Sequence, residues 1–373
     1  MTFLIISHAL HKTKDNQFFS YAPYVREMNL WLKYVDFVEV IASLGTDTIS
    51  EIDLPYQHEH LILTHIPSIA FISFTKTLSS LLSLPIILFK LFKACQNADH
   101  IHLRCPGNIG LIGCVVQICF PKKIKTAKYA GNWDPKAKQP LSYKLQKWLL
   151  SNTFLTKNMT VLVYGNWEQQ SKNIKPFFTA TYSNSEIATI IERNYSGALR
   201  FVFVGTLSEG KRPLMAIQIV ETLQKEGKSV FLDIYGDGHL KVSLQNYITE
   251  KNLENIVSLH GNQSKELIKE ALKKAHFLIL PSKSEGWPKA IAEAMFFGTI
   301  PIATRISCVP FMLDYGKRGI LIAPELDKAM AVINQALKDT ALLESMSEKA
   351  ANWSQNYTLE VFETEISKLM HHP

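Results

Sequence analysis

Along almost the whole chain of 373 residues, short runs rich in β-branched and aromatic residues alternate with longer stretches of helical periodicity. That alternation is the tightest constraint on the fold, because strands joined by crossover helices close into parallel sheets covered by helices. In the first half the strand candidates are Phe3–Ser7, Phe37–Ile41, His100–Leu103, Thr126–Ala130 and Val161–Val163, with helices at Tyr21–Lys33 and Ser142–Asn152. The stretch Asn184–Ser196 is polar and aperiodic. A second series then runs through Arg200–Gly205, Ser229–Tyr235, Ile256–His260, Phe277–Leu280, Ile300–Ala303 and Ile320–Ile322. The length exceeds one comfortable core. The pattern predicts two α/β domains, 1–190 and 191–350, and a helical tail over 351–373 that carries Trp353, Tyr357 and Phe362.

With 47% hydrophobic and 20% charged residues the chain reads as globular. Its formal charge of +7 comes without long Lys/Arg runs, which argues against nucleic acid; ordinary surface lysines explain most of it, and it also fits a phosphorylated substrate or an anionic membrane. Cys95, Cys105, Cys114, Cys119 and Cys308 form no CxxC pair and have apolar neighbours, so neither a zinc site nor a disulfide framework is expected, and a reducing cytoplasm is. Met1–Ser7 has no basic flank or small-residue cleavage site, so it does not read as a signal peptide. Phe71–Phe92 is apolar, but Lys76, Lys90, several serines and Pro85 interrupt it, and it falls short of a transmembrane pattern.

The most informative stretch is Pro281-Ser-Lys-Ser-Glu-Gly-Trp-Pro-Lys-Ala-Ile-Ala-Glu-Ala-Met295, which follows an apolar strand and opens a helix. Pro288 suits a first helical turn, Gly286 permits close backbone approach, and the helix-start amides form an anion site suited to a diphosphate. Glu293, one turn farther on, can bind two ribose hydroxyls, while Glu285 reaches toward a sugar from the preceding loop. Glu285 and Glu293, separated by seven residues in this setting, resemble the signature of family 4 retaining glycosyltransferases of the GT-B fold. Phe201-Val-Phe-Val-Gly-Thr-Leu-Ser-Glu-Gly-Lys-Arg212 resembles that family's first donor-domain strand and loop, whose glycine is followed by an arginine and then a lysine. This chain keeps Gly205 and Lys211 but has Thr206 in the arginine's place, with Arg212 as a second cation.

The resemblance implies further donor contacts. Gly236 and Gly238 of Tyr235-Gly-Asp-Gly238 form a turn near the nucleotide, and His260 lies near the base. Gly286, Trp287, Pro288 and Lys289 line the donor site with the two glutamates. The N-terminal half matches less well. Ser7-His-Ala-Leu-His-Lys12 lacks the family's usual glycine turn. In Asp99-His-Ile-His-Leu-Arg-Cys-Pro-Gly-Asn108, His102 takes the place of a first histidine and Arg104 that of a functional one, and His100 with His102 is the alternative pairing. Asn132, Trp133 and Asp134 are acceptor-pocket candidates, Trp133 as a stacking platform or as packing.

Family membership would imply an α/β, GT-B architecture of two Rossmann-like, doubly wound domains facing across a cleft, with the closing helix crossing back to the first. It would also imply a donor that is a nucleotide diphosphate sugar, a glycan or lipid-linked acceptor of surface polysaccharide assembly, and transfer with retention. Neither a metal nor another cofactor is expected. Glu285, Lys211, Arg104 and His102 are the catalytic candidates. A nucleotide-sugar epimerase of the same fold, or an idle sugar-nucleotide-binding subunit of a partner transferase, are the rival readings. A nicotinamide-dependent dehydrogenase is disfavoured, because no GxGxxG follows a domain's first strand. The expected location is cytoplasmic, with peripheral contact to the inner membrane face. Phe71, Phe74, Leu78, Leu81, Leu82, Pro85, Phe89 and Phe92 recur at helical spacing, so that segment either lies in a membrane interface or packs on the N-terminal sheet.

Overall fold

The protein is described by a computed structural model covering residues 1–46, 48–50, 52–69 and 73–371. It divides into two compact units, Met1–Phe178 together with the chain from Phe362 onward, and Thr179–Val361. The change of unit at Phe178 falls before the boundary near 190 read from the sequence, because the aperiodic stretch after Thr179 packs with the second unit.

In chain order the first unit contains β1 (Thr2–Ile6), β2 (Lys12–Lys14), β3 (Gln17–Tyr21), α1 (Ala22–Leu32), β4 (Phe37–Ala42), β5 (Asp53–Pro55) and β6 (Leu61–His65). It continues with α2 (Phe74–Asn97), β7 (His100–Cys105), α3 (Asn108–Val116), β8 (Ile124–Tyr129), α4 (Leu141–Ser151), β9 (Met159–Tyr164) and β10 (Ile174–Phe177). Seven strands form one parallel sheet in the order β10-β9-β8-β7-β1-β4-β6. The strands β6 and β10, and a small antiparallel sheet of β2, β3 and β5, add to the elements expected from sequence.

Strand parity sorts this core. Leu4, Ile6, Ile101, Leu103 and Cys105 join Ile87, Leu91, Cys114 and Leu149 in a single cluster, so α2, α3 and α4 cover one face of the sheet. Phe3 points to the other face, where it stacks on Trp31 of α1. Helix α2 runs unbroken through Pro85, contrary to the expected break. Pro85 and Leu81 are both exposed, so the carbonyl left without a partner by the missing N–H faces water. Phe71 lies outside the described residues.

The second unit contains β11 (Leu199–Val204), α5 (Pro213–Lys225), β12 (Val230–Tyr235), α6 (Lys241–Glu250), β13 (Val257–Gly261), α7 (Lys265–Lys274) and β14 (Phe277–Leu280). It continues with α8 (Lys289–Phe296), β15 (Ile300–Thr304), α9 (Val309–Met312), β16 (Ile320–Ile322), α10 (Leu326–Ala336) and α11 (Thr340–Ser354). Its strands form a parallel sheet in the order β13-β12-β11-β14-β15-β16. From β11 the chain builds outward to β13, then returns to place β14 on the other side of β11. Helix α12 (Leu359–His371) opens in this unit, and from Phe362 it belongs to the first, where Phe362 packs against Phe177 and Phe178.

Candidate active site at the β11–β14 switch point

In an open parallel sheet the loops leaving two neighbouring strands in opposite directions open a crevice at their carboxyl ends. In the second unit those strands are β11 and β14. The loop after β11 holds Gly205, Thr206, Lys211 and Arg212, and the loop after β14 holds Glu285 and Gly286. The two stretches that stand out in the sequence therefore meet for a topological reason.

The loops are tied directly. The Lys283 amide donates to the Gly210 carbonyl at 2.8 Å. The Lys211 ammonium lies 2.6 Å from Glu285 Oε1, and the Glu285 side chain is only 8% exposed while the lysine remains partly open to solvent. The Ser307 hydroxyl donates to the Glu285 carbonyl at 2.6 Å, and the Cys308 thiol donates to the Gly286 carbonyl at 3.0 Å. The Thr304 hydroxyl does the same for Ser282 at 2.5 Å. Thr304 at the end of β15 and Ser307 and Cys308 just after it thus brace the loop through its carbonyls. Sequence reasoning misses Ser307 and Cys308, because their role is visible only once β15 lies beside β14.

Glycine is required just after β12, where that turn crosses the loop leaving β11. A Cβ on Gly236 would sit 2.0 Å from the Gly205 carbonyl oxygen, with φ at +136°, and one on Gly238 would sit 2.4 Å from the Leu207 carbonyl oxygen. The amides of Gly205 and Gly236 donate to Tyr235 and Gly261, so three strand ends form one hydrogen-bonded floor. At its edge, His260 stacks on Tyr235 at 4.7 Å and bonds Asp233 at 2.6 Å.

Helix α8 starts beside this floor with Pro288 at its N-cap, one position earlier than expected, and no side chain caps it. The Ile291 amide turns back to the Pro288 carbonyl at 3.0 Å, and the turn carries the positive end of the helix dipole. Glu293, one turn in, accepts a hydrogen bond from the Thr181 hydroxyl at 2.8 Å, and Lys289 lines the same small recess. Trp287 is turned inward, stacked on Trp353 of α11 and edge-on to Tyr357. Its ring anchors the loop, so only its backbone is left for a ligand. Thr206 is exposed. Arg212 sits in the left-handed region, and its guanidinium donates to the Pro324 carbonyl at 2.7 Å. In this structure Arg212 shapes the entry to α5, and Lys211 is the cation set against Glu285.

The N-terminal candidates have different surroundings. His100, His102 and Arg104 alternate along β7 and share the face beneath α1. His102 is wholly buried, bonded to the Thr126 hydroxyl at 2.8 Å and packed on Trp31. Burial holds its pKa well below the ordinary value, so it is neutral. Arg104 pairs with Glu27 of α1 at 2.8 Å and lies over the Tyr24 ring. Desolvation opposes its charge, but Glu27 and the neighbouring tyrosines outweigh that and raise its pKa. In this structure His102 is core and Arg104 is paired with Glu27.

Of the two readings of Trp133, the structure takes packing. The residue is 1% exposed, donates from Nε1 to Gln170 at 2.9 Å, meets Tyr129 edge-on and lies beneath the Lys147 ammonium. It is packing, not a stacking platform. Asn132 and Asp134 remain half-buried at the carboxyl end of β8, each accepting a backbone amide two residues on. Among the described residues, no group of three or more His, Cys, Asp or Glu side chains is arranged to hold a metal ion.

Residues 186–353 match the family described as Glycosyl transferases group 1. The amylovoran biosynthesis glycosyltransferase AmsK of Erwinia amylovora is 34% identical over 142 residues, covering 36% of this chain and 35% of AmsK. The Escherichia coli UDP-Gal:alpha-D-GlcNAc-diphosphoundecaprenol alpha-1,3-galactosyltransferase is 32% identical over 158 residues, 41% of this chain and 40% of that one. The chain therefore spans well under half of these relatives. Among solved structures, Anabaena HepE in complex with UDP and glucose aligns over 100% of this chain and 99% of its own, with a TM-score of 0.68 at 14% identity. That likeness shows the fold, which is GT-B.

Proposed function

We propose that the chain is a retaining glycosyltransferase of family 4 that moves a sugar from a nucleoside diphosphate to a hydroxyl of a glycan or lipid-linked acceptor in surface polysaccharide assembly. The carrying observation is the Lys211–Glu285 pair at the β11–β14 switch point, beside the uncapped start of α8. A cation and a row of amides suit a diphosphate, and a carboxylate at their edge suits the hydroxyls of the sugar it carries. The group 1 match over 186–353 covers these loops. The names of AmsK and of the diphosphoundecaprenol galactosyltransferase support the acceptor class, and the UDP and glucose in HepE support the donor class.

In this reading the α8 amides and Lys211 stabilise the negative charge that develops on the departing diphosphate. The bond from the acceptor oxygen to the anomeric carbon forms on the face from which the phosphate oxygen leaves, which retains configuration. The acceptor's hydroxyl proton passes to that departing oxygen. Glu293 holds the ribose, and Glu285 positions the sugar. No metal or other cofactor takes part, and the protein works in the cytoplasm at the inner membrane face.

A thermal-shift screen of nucleotide sugars identifies the donor, and product analysis with that donor in chelator then tests the reaction. Glycoside formation with retained configuration is the expected result. Epimerised donor, or binding without turnover on any acceptor, refutes transfer, and a strict need for divalent metal refutes the metal-independent course.

A further inference from the structure

The sequence reads Phe71–Phe92 as short of a transmembrane pattern, but the apolar helix runs on to Asn97, and over Thr77–Asn97, with a mean hydropathy of 1.7, it is by length and composition long enough to cross a membrane. Yet Ile87, Leu91, Ala94 and Cys95 are locked into the core of the first unit. The helix therefore lies along the sheet rather than leaving it. What separates it from an ordinary surface helix is its outer side. Leu78, Leu81, Leu82, Ile86, Phe89 and Phe92 are all exposed, Leu82 by 75% and Phe89 by 68%. A soluble helix that covers a sheet shows charged residues there. The same layer continues through α3 to α4, where Leu141, Leu145 and Trp148 repeat at helical spacing on the exposed side.

The charge around this layer is one-sided. Between residues 66 and 160 the chain has twelve lysines and one arginine against only two acidic residues, Asp99 and Asp134. Asp99 is engaged by the Thr2 amide. Lys125, Lys128 and Arg104 are held inside, which leaves Lys93, Lys122, Lys144 and Lys157 exposed beside the apolar residues. Lys144 sits one turn from Leu141 and Trp148 on α4, and the Lys157 ammonium lies 5.3 Å from the ring centre of exposed Phe154.

We infer that the α2–α4 face of the first unit docks on an anionic membrane surface. Its leucines and phenylalanines enter the boundary between headgroups and acyl chains, and its lysines meet the lipid phosphates. The combination selects this occupant. A second copy of the chain, paired about a two-fold axis, would set the same lysine-rich face against itself. The sequence left open whether this helix lies in an interface or packs on the sheet; the structure has it packing by one side with an apolar side left over. The inference rests on the proposed place at the inner membrane face and gives it a surface; it involves no donor, so it can fail while the transfer reaction stands, and the reverse.

The test is co-sedimentation of the purified full chain with phosphatidylcholine vesicles, with and without phosphatidylglycerol. Binding is expected only with the anionic lipid and should weaken as salt is raised. The variant Leu82→Glu/Phe89→Glu should bind about tenfold less or weaker still, since two exposed apolar side chains no longer enter the boundary. The variant Lys93→Glu/Lys144→Glu should lose both affinity and salt dependence. These positions are exposed, and matching melting curves verify the fold. Failure of the wild type to bind anionic vesicles would overturn the inference, as would binding by both variants as tight as that of the wild type. The inference would also be overturned if Leu82→Glu/Phe89→Glu turned a dimer into a monomer and left vesicle binding unchanged, which would make the face a contact between copies.

Discussion

Substituting Glu285 by glutamine separates two roles that the Lys211–Glu285 pair combines. Without a ligand, the Lys211 ammonium is held at 2.6 Å by a carboxylate that is almost fully buried. An arriving diphosphate must share that ammonium or take it over. A hydrogen bond to a charged group contributes about 1.5–3 kcal/mol net. Glu285→Gln keeps the shape, removes the competing charge and releases up to that amount to the incoming phosphate. A free nucleoside diphosphate should therefore bind the variant at least as well as the wild type, and up to roughly tenfold or more tighter if the pair must break. Turnover of the intact sugar donor should fall, by about a hundredfold if Glu285 acts mainly in the transition state. Titration calorimetry with the diphosphate and steady-state kinetics with the sugar donor read the two effects apart. If Glu285→Gln weakened the free diphosphate as much as it slowed transfer, Glu285 would be a nucleotide ligand and the assigned division of labour would be wrong.

Gly236→Ala should destabilise the second unit by about 1–3 kcal/mol and weaken diphosphate binding, because its Cβ would fall 2.0 Å from the Gly205 carbonyl oxygen. Gly205→Ala is the control, since its Cβ meets nothing nearer than 3.7 Å; equal melting temperatures for the two variants would refute the argument. Glu293→Ala should cost a free nucleoside diphosphate and its sugar conjugate the same, about 1.5–3 kcal/mol each, and unchanged calorimetric affinity in the folded variant would remove Glu293 from the site. Acid should destabilise the first unit. Burial lowers the pKa of His11 and of His100 to about 4, against 6.5 in an open chain, so between those values the unfolded chain binds more protons. Their contribution is complete above about pH 6.5 and is lost as pH falls toward 4, roughly 2 kcal/mol for each histidine by pH 5. A melting temperature that stays level from pH 7 to pH 5 would contradict that reading.

The second unit was legible because its signals are local. Gly205, Lys211, Glu285 and Glu293 each sit a fixed step beyond an apolar strand, and the loop after a strand stays at its carboxyl end whatever the rest of the chain does. The first unit was less legible because its candidates depend on residues far along the chain. Arg104 is claimed by Glu27, seventy-seven positions earlier, and Trp133 by Gln170 and Lys147. The period of two in His100-Ile-His-Leu-Arg104 does put both histidines and the arginine on one face, but it does not say that α1 covers that face. The extra strand at Leu61–His65 carries an apolar run too short to stand out, whereas residues 179–198 have no periodicity with which to mark a boundary.

The helix that opens in one unit and closes in the other bears on how the chain comes into being. The second unit is a single uninterrupted stretch, Thr179–Val361, whereas the first lacks Phe362 and the rest of α12 until the whole of the second has been made. Phe362 packs against Phe177 and Phe178 and lies near the buried Lys128 ammonium. On the ribosome, residues 1–178 therefore wait for α12, while the second unit can close in between. A chain stopped short of residue 362 would keep a complete second unit beside a first whose aromatic cage around Lys128 lacks one wall.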